Sequence, residues 1–411
     1  GFLYNAFVNV SGVYQGYQAV DYFAPLDVNV NGERYTQALS VGELMLVGPD
    51  LAEGVGQIYN EDEVEQLASG WVVDGDTLSG LTAVRHGDAN TESSTSGWKW
   101  IPGFTVKAGG NYNLSEYSNA FLNLGYLNRT PVFRNVVDYE NKFVGNTQNE
   151  IIQSVELGYS YSKHPWSFNV NGYWTVWNNR PLQSLLRFET VEGDIVRANV
   201  NSMSALHRGI EMDGAIQLNS KWTLEGYASY GDWRWTSSED SLVLLDDLTN
   251  LPYLNQDGTV ASVEYDAAGV SVGDAPQSSY SIALRYFHKK WYVKPRFTWF
   301  DRYYSDFDPF SLNGENAGRQ SWQIPSYGQF EVHAGYNMDL GESNLDFRLS
   351  LFNVLNTTFI GNAQNNDAFG QWYFTDPERN YAFTQNNFDA ASSSVYMGYP
   401  FRTNFSVRVR F

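Results

Sequence analysis

Apolar and polar residues alternate with a period of two along much of this chain, in separate stretches of about ten residues. At the C-terminal end Phe401, Phe405, Val407, Val409 and Phe411 share one face of an extended strand. Arg402, Asn404, Ser406, Arg408 and Arg410 share the other, because successive side chains of a strand point to opposite sides. Over 209–218, Ile210, Met212, Gly214, Ile216 and Leu218 stand opposite Glu211, Asp213 and Gln217. Over 290–299, Trp291, Val293, Pro295, Phe297 and Trp299 oppose Tyr292, Lys294, Arg296 and Thr298. Over 344–351, Leu345, Phe347, Leu349 and Leu351 oppose Asp346, Arg348 and Ser350. Read this way, the chain predicts twelve strands, at about 2–20, 101–113, 118–127, 151–162, 165–178, 206–218, 221–234, 276–288, 290–303, 325–338, 343–355 and 400–411.

The connections are of two kinds. His164-Pro165, Asn219-Ser220, His288-Lys289-Lys290 and Gly341-Glu342-Ser343 read as tight hairpins. The intervening connectors are long and irregular, at about 24–100, 128–150, 179–205, 235–275, 304–324 and 356–400. Short turns on one side and long loops on the other, with an apolar face throughout, indicate an all-β transmembrane antiparallel β-barrel. Its oily face meets lipid and its polar face a wet lumen. A strand closing on an aromatic suits an outer-membrane barrel, so Phe405, Val407, Val409 and Phe411 are read as the membrane-insertion and assembly signal, with the barrel-assembly machinery as a partner. If the final carboxylate is periplasmic, every long connector lies outside the cell and every short one inside. A charge on the lipid face near the midplane costs about 2–4 kcal/mol, which explains why the charges keep to one phase. Pro295 lacks a backbone donor and is expected near a strand end or a bulge. Trp166, Trp222 and Trp291 each follow a short turn and are expected to form a periplasmic girdle.

Composition agrees with a barrel. The 411 residues include 28 Tyr, 25 Phe and 13 Trp, or 16% aromatic, which suits two interfacial girdles. No apolar run approaches the roughly 18 residues of a membrane helix. The net charge of −20 argues against nucleic acid as a partner. Eleven Asp and Glu lie between Glu43 and Glu92 with Arg85 the sole basic residue there. That segment reads as a solvated loop, and no metal site is expected. The absence of cysteine excludes disulfides and thiolate chemistry. His86, His164, His207, His288 and His333 form no zinc-ligand spacing. With no Gly-x-Ser-x-Gly motif either, no catalytic residue, cofactor or enzymatic activity is expected. Gly1-Phe2-Leu3 leads straight into strand-like sequence, so the chain reads as mature or as lacking an N-terminal piece.

Scattered motifs in a fixed order resemble the C-terminal part of a TonB-dependent outer-membrane receptor, of the kind common in Bacteroidetes. They include Ile101-Pro102-Gly103-Phe104 running to Tyr112, Asn149-Glu150, Val155-Glu156-Leu157-Gly158-Tyr159, and His207-Arg208-Gly209-Ile210-Glu211-Met212-Asp213. Gly231-Asp232-Trp233, Val272-Gly273-Asp274-Ala275-Pro276, Tyr304-Ser305-Asp306-Phe307-Asp308-Pro309 and Leu351-Phe352-Asn353-Val354-Leu355-Asn356 follow. The resemblance implies a barrel of about twenty-two strands, of which about twelve are present, with short periplasmic turns and long extracellular loops. It implies an N-terminal plug, not seen in this chain, through which the TonB complex would act. It also implies import of a scarce nutrient (siderophore, vitamin, oligosaccharide or peptide) driven by proton-motive force.

Candidate ligand contacts are the aromatics near the extracellular strand ends and in the loops, since aromatic side chains give broad contact at low entropic cost. They are Tyr173, Trp177, Trp233, Trp235, Tyr303, Tyr304, Phe307, Trp322, Trp372 and Tyr373, with Asp306 and Asp308 beside them. Of these, Tyr173, Trp177 and Trp233 face inward by phase, unlike Trp174. Inward Arg285, Arg296, Arg348, Arg402, Arg408 and Arg410 face Glu211, Asp213, Glu225 and Asp346 in kind and are read as bracing the wall or guiding an anion. Two other readings stay open: a complete twelve-stranded passive porin, and a surface scaffold binding a protein partner through its outer loops. A surface lipoprotein is a further possible partner.

Overall fold

The computed structural model describes residues 4–18, 97–137, 147–189, 195–244, 251–254, 258–341, 343–365, 372–373 and 393–410, with residue 143 and short pieces of 24–88. Twelve long strands pair in chain order, each antiparallel to the next: β1 (Tyr4–Tyr17), β2 (Lys99–Asn113), β3 (Ser118–Arg129), β4 (Glu150–Lys163), β5 (Trp166–Glu189) and β6 (Ile195–Gln217), then β7 (Trp222–Trp235), β8 (Ser278–His288), β9 (Trp291–Asp301), β10 (Tyr327–Leu340), β11 (Ser343–Phe352) and β12 (Arg402–Arg410). Trp372–Tyr373 adds a short parallel pairing to β5. Among the described residues no helix is long and apolar enough to cross a membrane. Among the described residues the sheet is open: β1 and β12 are its two ends and do not pair with each other.

Short and long connections alternate along this meander except between β5 and β6, where the strands themselves extend and leave a five-residue link. Two-residue links join β4 to β5, β8 to β9 and β10 to β11, and four-residue links join β2 to β3 and β6 to β7. Local chemistry explains the turns. Lys289 (φ 55) and Gly341 (φ 61) take left-handed backbone, which matches the right-handed twist of the flanking strands. The Asn219 carboxamide oxygen accepts from the Lys221 and Trp222 amides at 2.9 and 3.1 Å, closing the β6–β7 turn. A tight turn fixes register, and register fixes faces, since a one-residue slip would turn every side chain over. The β4–β5 ladder accordingly runs from Lys163↔Trp166 to Ile151↔Asn178 without a slip.

The two faces differ as the alternation predicts. Val155, Leu157 (62% exposed), Ile210, Met212, Ile282, Phe405 (64% exposed), Val407 and Val409 stand uncovered on the outer face. So large an uncovered apolar surface marks contact with lipid. Phe405 stacks on Phe347 across β11–β12. Phe411 lies outside the described residues. At the short-turn edge Trp222 and Tyr286 pack with ring centroids 4.5 Å apart, and Tyr286 and Trp291 at 5.3 Å. Trp166 stands exposed opposite Ile216 at the short-turn end of β5, so all three tryptophans lie along the short-turn edge as expected.

On the inner face the charges pair. Glu225 takes Lys294 and, at 3.8 Å, Arg285. Glu331 takes Arg296 and, at 3.5 Å, His333. Arg348 holds Asp346 at 2.8 Å, and Arg408 stands directly across from Asp346 in the β11–β12 register. Asn123 and Asn171 donate to Glu156 at 3.1 and 3.2 Å, and Asn169 to Asp213 at 3.1 Å. Arg402 lies over the Phe352 and Tyr399 rings. Solvent screening makes each such pair individually weak. Their collective effect is to fix side chains across neighbouring strands.

Four expectations need correction. The stretch 179–205 is not an irregular connector: β5 continues to Glu189 and β6 begins at Ile195, forming an arm beyond the wall. Register shifts after Trp177, Arg180 and Gln183 break the period-two pattern there. Pro295 stands inside β9, at neither an end nor a bulge. Its ladder to β8 lacks the Leu284 and Arg285 pairings opposite Pro295 and Lys294 but keeps its register, so the missing donor is absorbed as a local gap. The acidic connector is not wholly a solvated loop. Glu43–Val47 pairs with Ile58–Asn60 and Thr82–Arg85, and Leu44, Leu46, Trp71 and Val73 bury a small core there. Glu61, Asp62, Glu63, Glu65 and Asp76 are exposed around it, with Arg85 bound to Glu61 at 2.7 Å. Finally, the charges do not all keep to the lumen phase: Arg208, Asp232 and Arg234 share the outer face with Ile210 and Tyr230, near the extracellular ends of β6 and β7.

Leu157 is at mid-wall on the lipid side. Leu157→Arg is expected to destabilise the protein in a bilayer by about 2–4 kcal/mol, while Asn169→Lys, on the lumen face beside Asp213, costs less than about 1 kcal/mol. Urea unfolding of the two variants in the same lipid distinguishes them, and equal losses would contradict the face assignment.

Candidate ligand-binding site

The upper lumen wall, where β5, β6 and β7 meet, gathers aromatic and polar side chains into one patch. Tyr173, His207 and Trp233 sit at neighbouring ladder positions on the inward phase. The Trp233 indole N–H donates to the Tyr173 phenolic oxygen at 2.8 Å, so that phenol keeps its own O–H as a donor. His207 lies edge-on to both Trp177 and Trp233, with centroids 6.4 and 5.6 Å away. Trp177 donates its indole N–H to Glu150 at 2.9 Å.

The bulge above Trp177 supplies the cation. Asn179 takes a left-handed turn (φ 57), and Arg180 is re-aimed so that its guanidinium lies 5.0 Å from the Trp177 ring centroid and 5.4 Å from that of Trp235. Both are cation–π distances. A period-two reading does not find Arg180, because the bulge changes the phase where it lies; His207 keeps the inward phase and gains meaning only from the indoles around it.

A strap from the β7–β8 connector covers one side. The Gln277 carboxamide donates to the Trp233 carbonyl at 2.9 Å and the Val272 carbonyl at 3.2 Å, and accepts from the Trp233 amide at 3.1 Å. It pins Val272-Gly273 beside the patch. A Cβ on Gly273 would stand 2.8 Å from the Ser305 carbonyl oxygen, so only glycine lets the two connectors approach this closely. The resulting cavity is about 470 Å³, lined by Glu156, Asn171, Tyr173, Arg180, His207, Glu211 and Trp233 with the strap. That is the size of a small-molecule site.

The other aromatic candidates lie elsewhere. Trp235 (2% exposed) and Phe307 are buried in a core shared by the β7–β8 and β9–β10 connectors, with Tyr265, Phe310 and Leu312. Tyr303 is buried against Ile324 and Ala363, with Trp322 packed alongside, and its hydroxyl donates to the Gly361 carbonyl at 2.9 Å. Tyr304 pairs with Gln323 and is half-buried. The backbone of Trp372–Tyr373 runs beside Arg187–Phe188, farther out along the β5–β6 arm. Asp308 caps the helical turn Pro309–Ser311 through the Phe310 amide at 3.0 Å. Of the ten aromatic candidates, Tyr173, Trp177 and Trp233 come together on the wall. Trp235, Tyr303 and Phe307 instead hold the outer connectors onto its rim.

A one-sided apolar wall with a paired polar lumen and long outer connectors defines an outer-membrane β-barrel. Residues 4–356 match the family described as TonB dependent receptor-like, beta-barrel, and the chain belongs to that family. No curated protein sequence matches it. Among solved structures it is similar to the copper transporter OprC (14% identity, TM-score 0.44), covering 80% of this chain and 41% of that one. It is likewise similar to the siderophore receptor PiuA from Acinetobacter baumannii (12%, TM-score 0.46, covering 80% and 38%) and the ferric citrate transporter FecA (13%, TM-score 0.46, covering 77% and 39%). The chain thus spans about two fifths of the length of the structures it matches.

Asp306 carries a pH dependence in the extracellular connector. Burial, reinforced by the Asp274 charge, pushes its carboxyl up to about 6. Because the folded value lies above the unfolded one, the connector is stabilised as pH falls through about 6 toward 4 and loses that gain above it. Asp306→Asn is expected to stabilise the connector at pH 8 by about 1–3 kcal/mol and to have little effect at pH 4. Hydrogen exchange across 303–312 at the two pH values checks the sign.

Proposed function

We propose that this chain forms the C-terminal part of the wall of a larger outer-membrane importer, which binds a scarce nutrient at the Tyr173–Trp177–Trp233 patch and takes it up with energy transduced by TonB. The observation that carries the reading is the open wall with a polar, aromatic-lined lumen. In lipid, every backbone N–H and C=O needs a partner, so the free edges of β1 and β12 call for further strands. A wall of twelve strands completed to about twenty-two encloses a lumen wide enough for a plug. The plug would make the contact with TonB. This account favours an importer over a passive twelve-stranded porin, which would close on itself.

An indole, an imidazole and a phenol offer flat faces, and Glu156, Asn171 and Glu211 offer acceptors around them. That lining suits a ligand rich in hydroxyl or amide groups: an oligosaccharide, a peptide, a corrinoid or an iron–siderophore. The transport step rests on binding and on mechanical change in the plug rather than on bond-making.

Thermal-shift screening of the full-length protein against those four classes identifies the ligand. Tyr173→Ala combined with Trp233→Ala is expected to weaken its binding about tenfold or more, leaving the unfolding midpoint of the wall nearly unchanged. Collapsing the proton gradient is expected to abolish uptake by cells. Uptake that persists without the gradient, or a double variant that binds normally, would contradict the proposal.

A further inference from the structure

The outer face of the wall carries a second constellation, distinct from the lumen patch and on the opposite side of the same strands. Arg208 on β6 and Asp232 on β7 are direct ladder partners on the lipid-facing phase. The Asp232 carboxylate accepts from Arg208 at 2.8 and 3.1 Å and from Arg234 at 2.7 Å. Arg234 also donates to the Gly269 carbonyl at 2.8 Å. Arg302, just past the end of β9, lays its guanidinium 4.4 Å from the Tyr230 ring centroid and donates to Gln277 at 3.1 Å. Two guanidinium groups therefore share one carboxylate, with a third lining the same concavity, in a protein whose net charge is −20.

Height along the strand says what this cluster faces. Asp232 lies ten residues up β7 from Trp222 of the periplasmic girdle. At about 3.3 Å per residue and a tilt of about 40°, that is about 25 Å, the height of the apolar band of such a wall. The cluster thus stands at the outer headgroup level. Val155 and Trp174 beside it, and Leu157 and Ile210 two residues lower, line the same concavity of about 710 Å³. Arg208 also lies 5.6 Å from the Trp174 ring centroid. A cationic rim above an apolar trough matches one kind of molecule in charge and in shape: a lipid with an anionic headgroup and acyl chains running down the wall. Charges that only brace the wall are found on the lumen face.

We propose that Arg208, Arg234 and Arg302 form a binding site for the phosphate of a phosphorylated lipid of the outer leaflet, with Asp232 holding the first two arginines in place and the Trp174–Leu157 trough taking an acyl chain. Guanidinium groups suit phosphate because their paired N–H groups match its oxygens.

The test uses the full-length receptor in phosphatidylcholine nanodiscs doped with bis-phosphorylated lipid A or with the same lipid dephosphorylated, with native mass spectrometry counting the glycolipid retained. Wild-type protein is expected to retain the phosphorylated form about tenfold more than the dephosphorylated form. Arg208→Gln with Arg234→Gln is expected to abolish that preference, and Arg208→Lys with Arg234→Lys to restore part of it. Heat-modifiable gel mobility confirms that each variant is folded. The comparison of the two lipids on wild-type protein stands even if a variant is not. Equal retention of the two lipids, an unchanged preference in the glutamine variant, or complete displacement of the lipid by millimolar inorganic phosphate would overturn the proposal, the last by identifying a site for soluble phosphate instead.

Discussion

Hydrogen bonding of the backbone across neighbouring strands is the constraint from which the rest of this structure follows. Within hydrocarbon there is no water to take up an unpaired amide, so each strand must be flanked by another in uninterrupted register. The long antiparallel ladders meet that demand in the interior of the sheet, and even Pro295 is accommodated by a two-position gap in one ladder while the other stays paired. Once the ladders are fixed, the side chains have no choice of face. Leu157 and Phe405 go to lipid, and Glu156 and Arg348 to the lumen.

Packing in the usual sense is displaced to the periphery. The buried hydrophobic clusters gather at the outer rim and in the extracellular connectors: Trp235 with Phe307 and Phe310, Tyr303 with Ile324, Leu44 with Trp71. These cores shape the rim of the wall and set the strap beside Trp233. The lumen face has instead a lattice of paired charges and amides, which leaves Tyr173, His207 and Trp233 accessible above it. The extracellular part of the molecule therefore has the tertiary packing of a soluble protein, set on a wall held together by its ladders.

Most of the wall was legible from the chain because alternation is a direct image of a sheet with two different solvents. The twelve strands, the short turns and the inward phase of Tyr173 and Trp233 all follow from it. The arm of β5 and β6 was not legible, because three register shifts scramble the period between Trp177 and Arg187. Arg180 and His207 escaped notice for related reasons: one is aimed by a bulge, and the other gains meaning only from the indoles around it. The small sheets around Trp71 lay hidden in acidic sequence because strands of three to five residues are too short to display a period. The basic cluster at Arg208 and Arg234 breaks the rule that charge faces the lumen. Sequence could flag that only after strand height was known, since charge is tolerated on the outer face at the headgroup level and not below it.

The chain has no cysteine, so single cysteines introduced one at a time at 209–216 on β6 can carry nitroxide labels without background. Electron paramagnetic resonance in bilayers, comparing collisions with lipid-soluble oxygen and with a water-soluble nickel reagent, reads the solvent at each position. The account predicts a strict period of two, with Ile210, Met212, Gly214 and Ile216 in lipid and Gly209, Glu211, Asp213 and Ala215 in water. Uniform accessibility along the strand, or a period near 3.6, would contradict it.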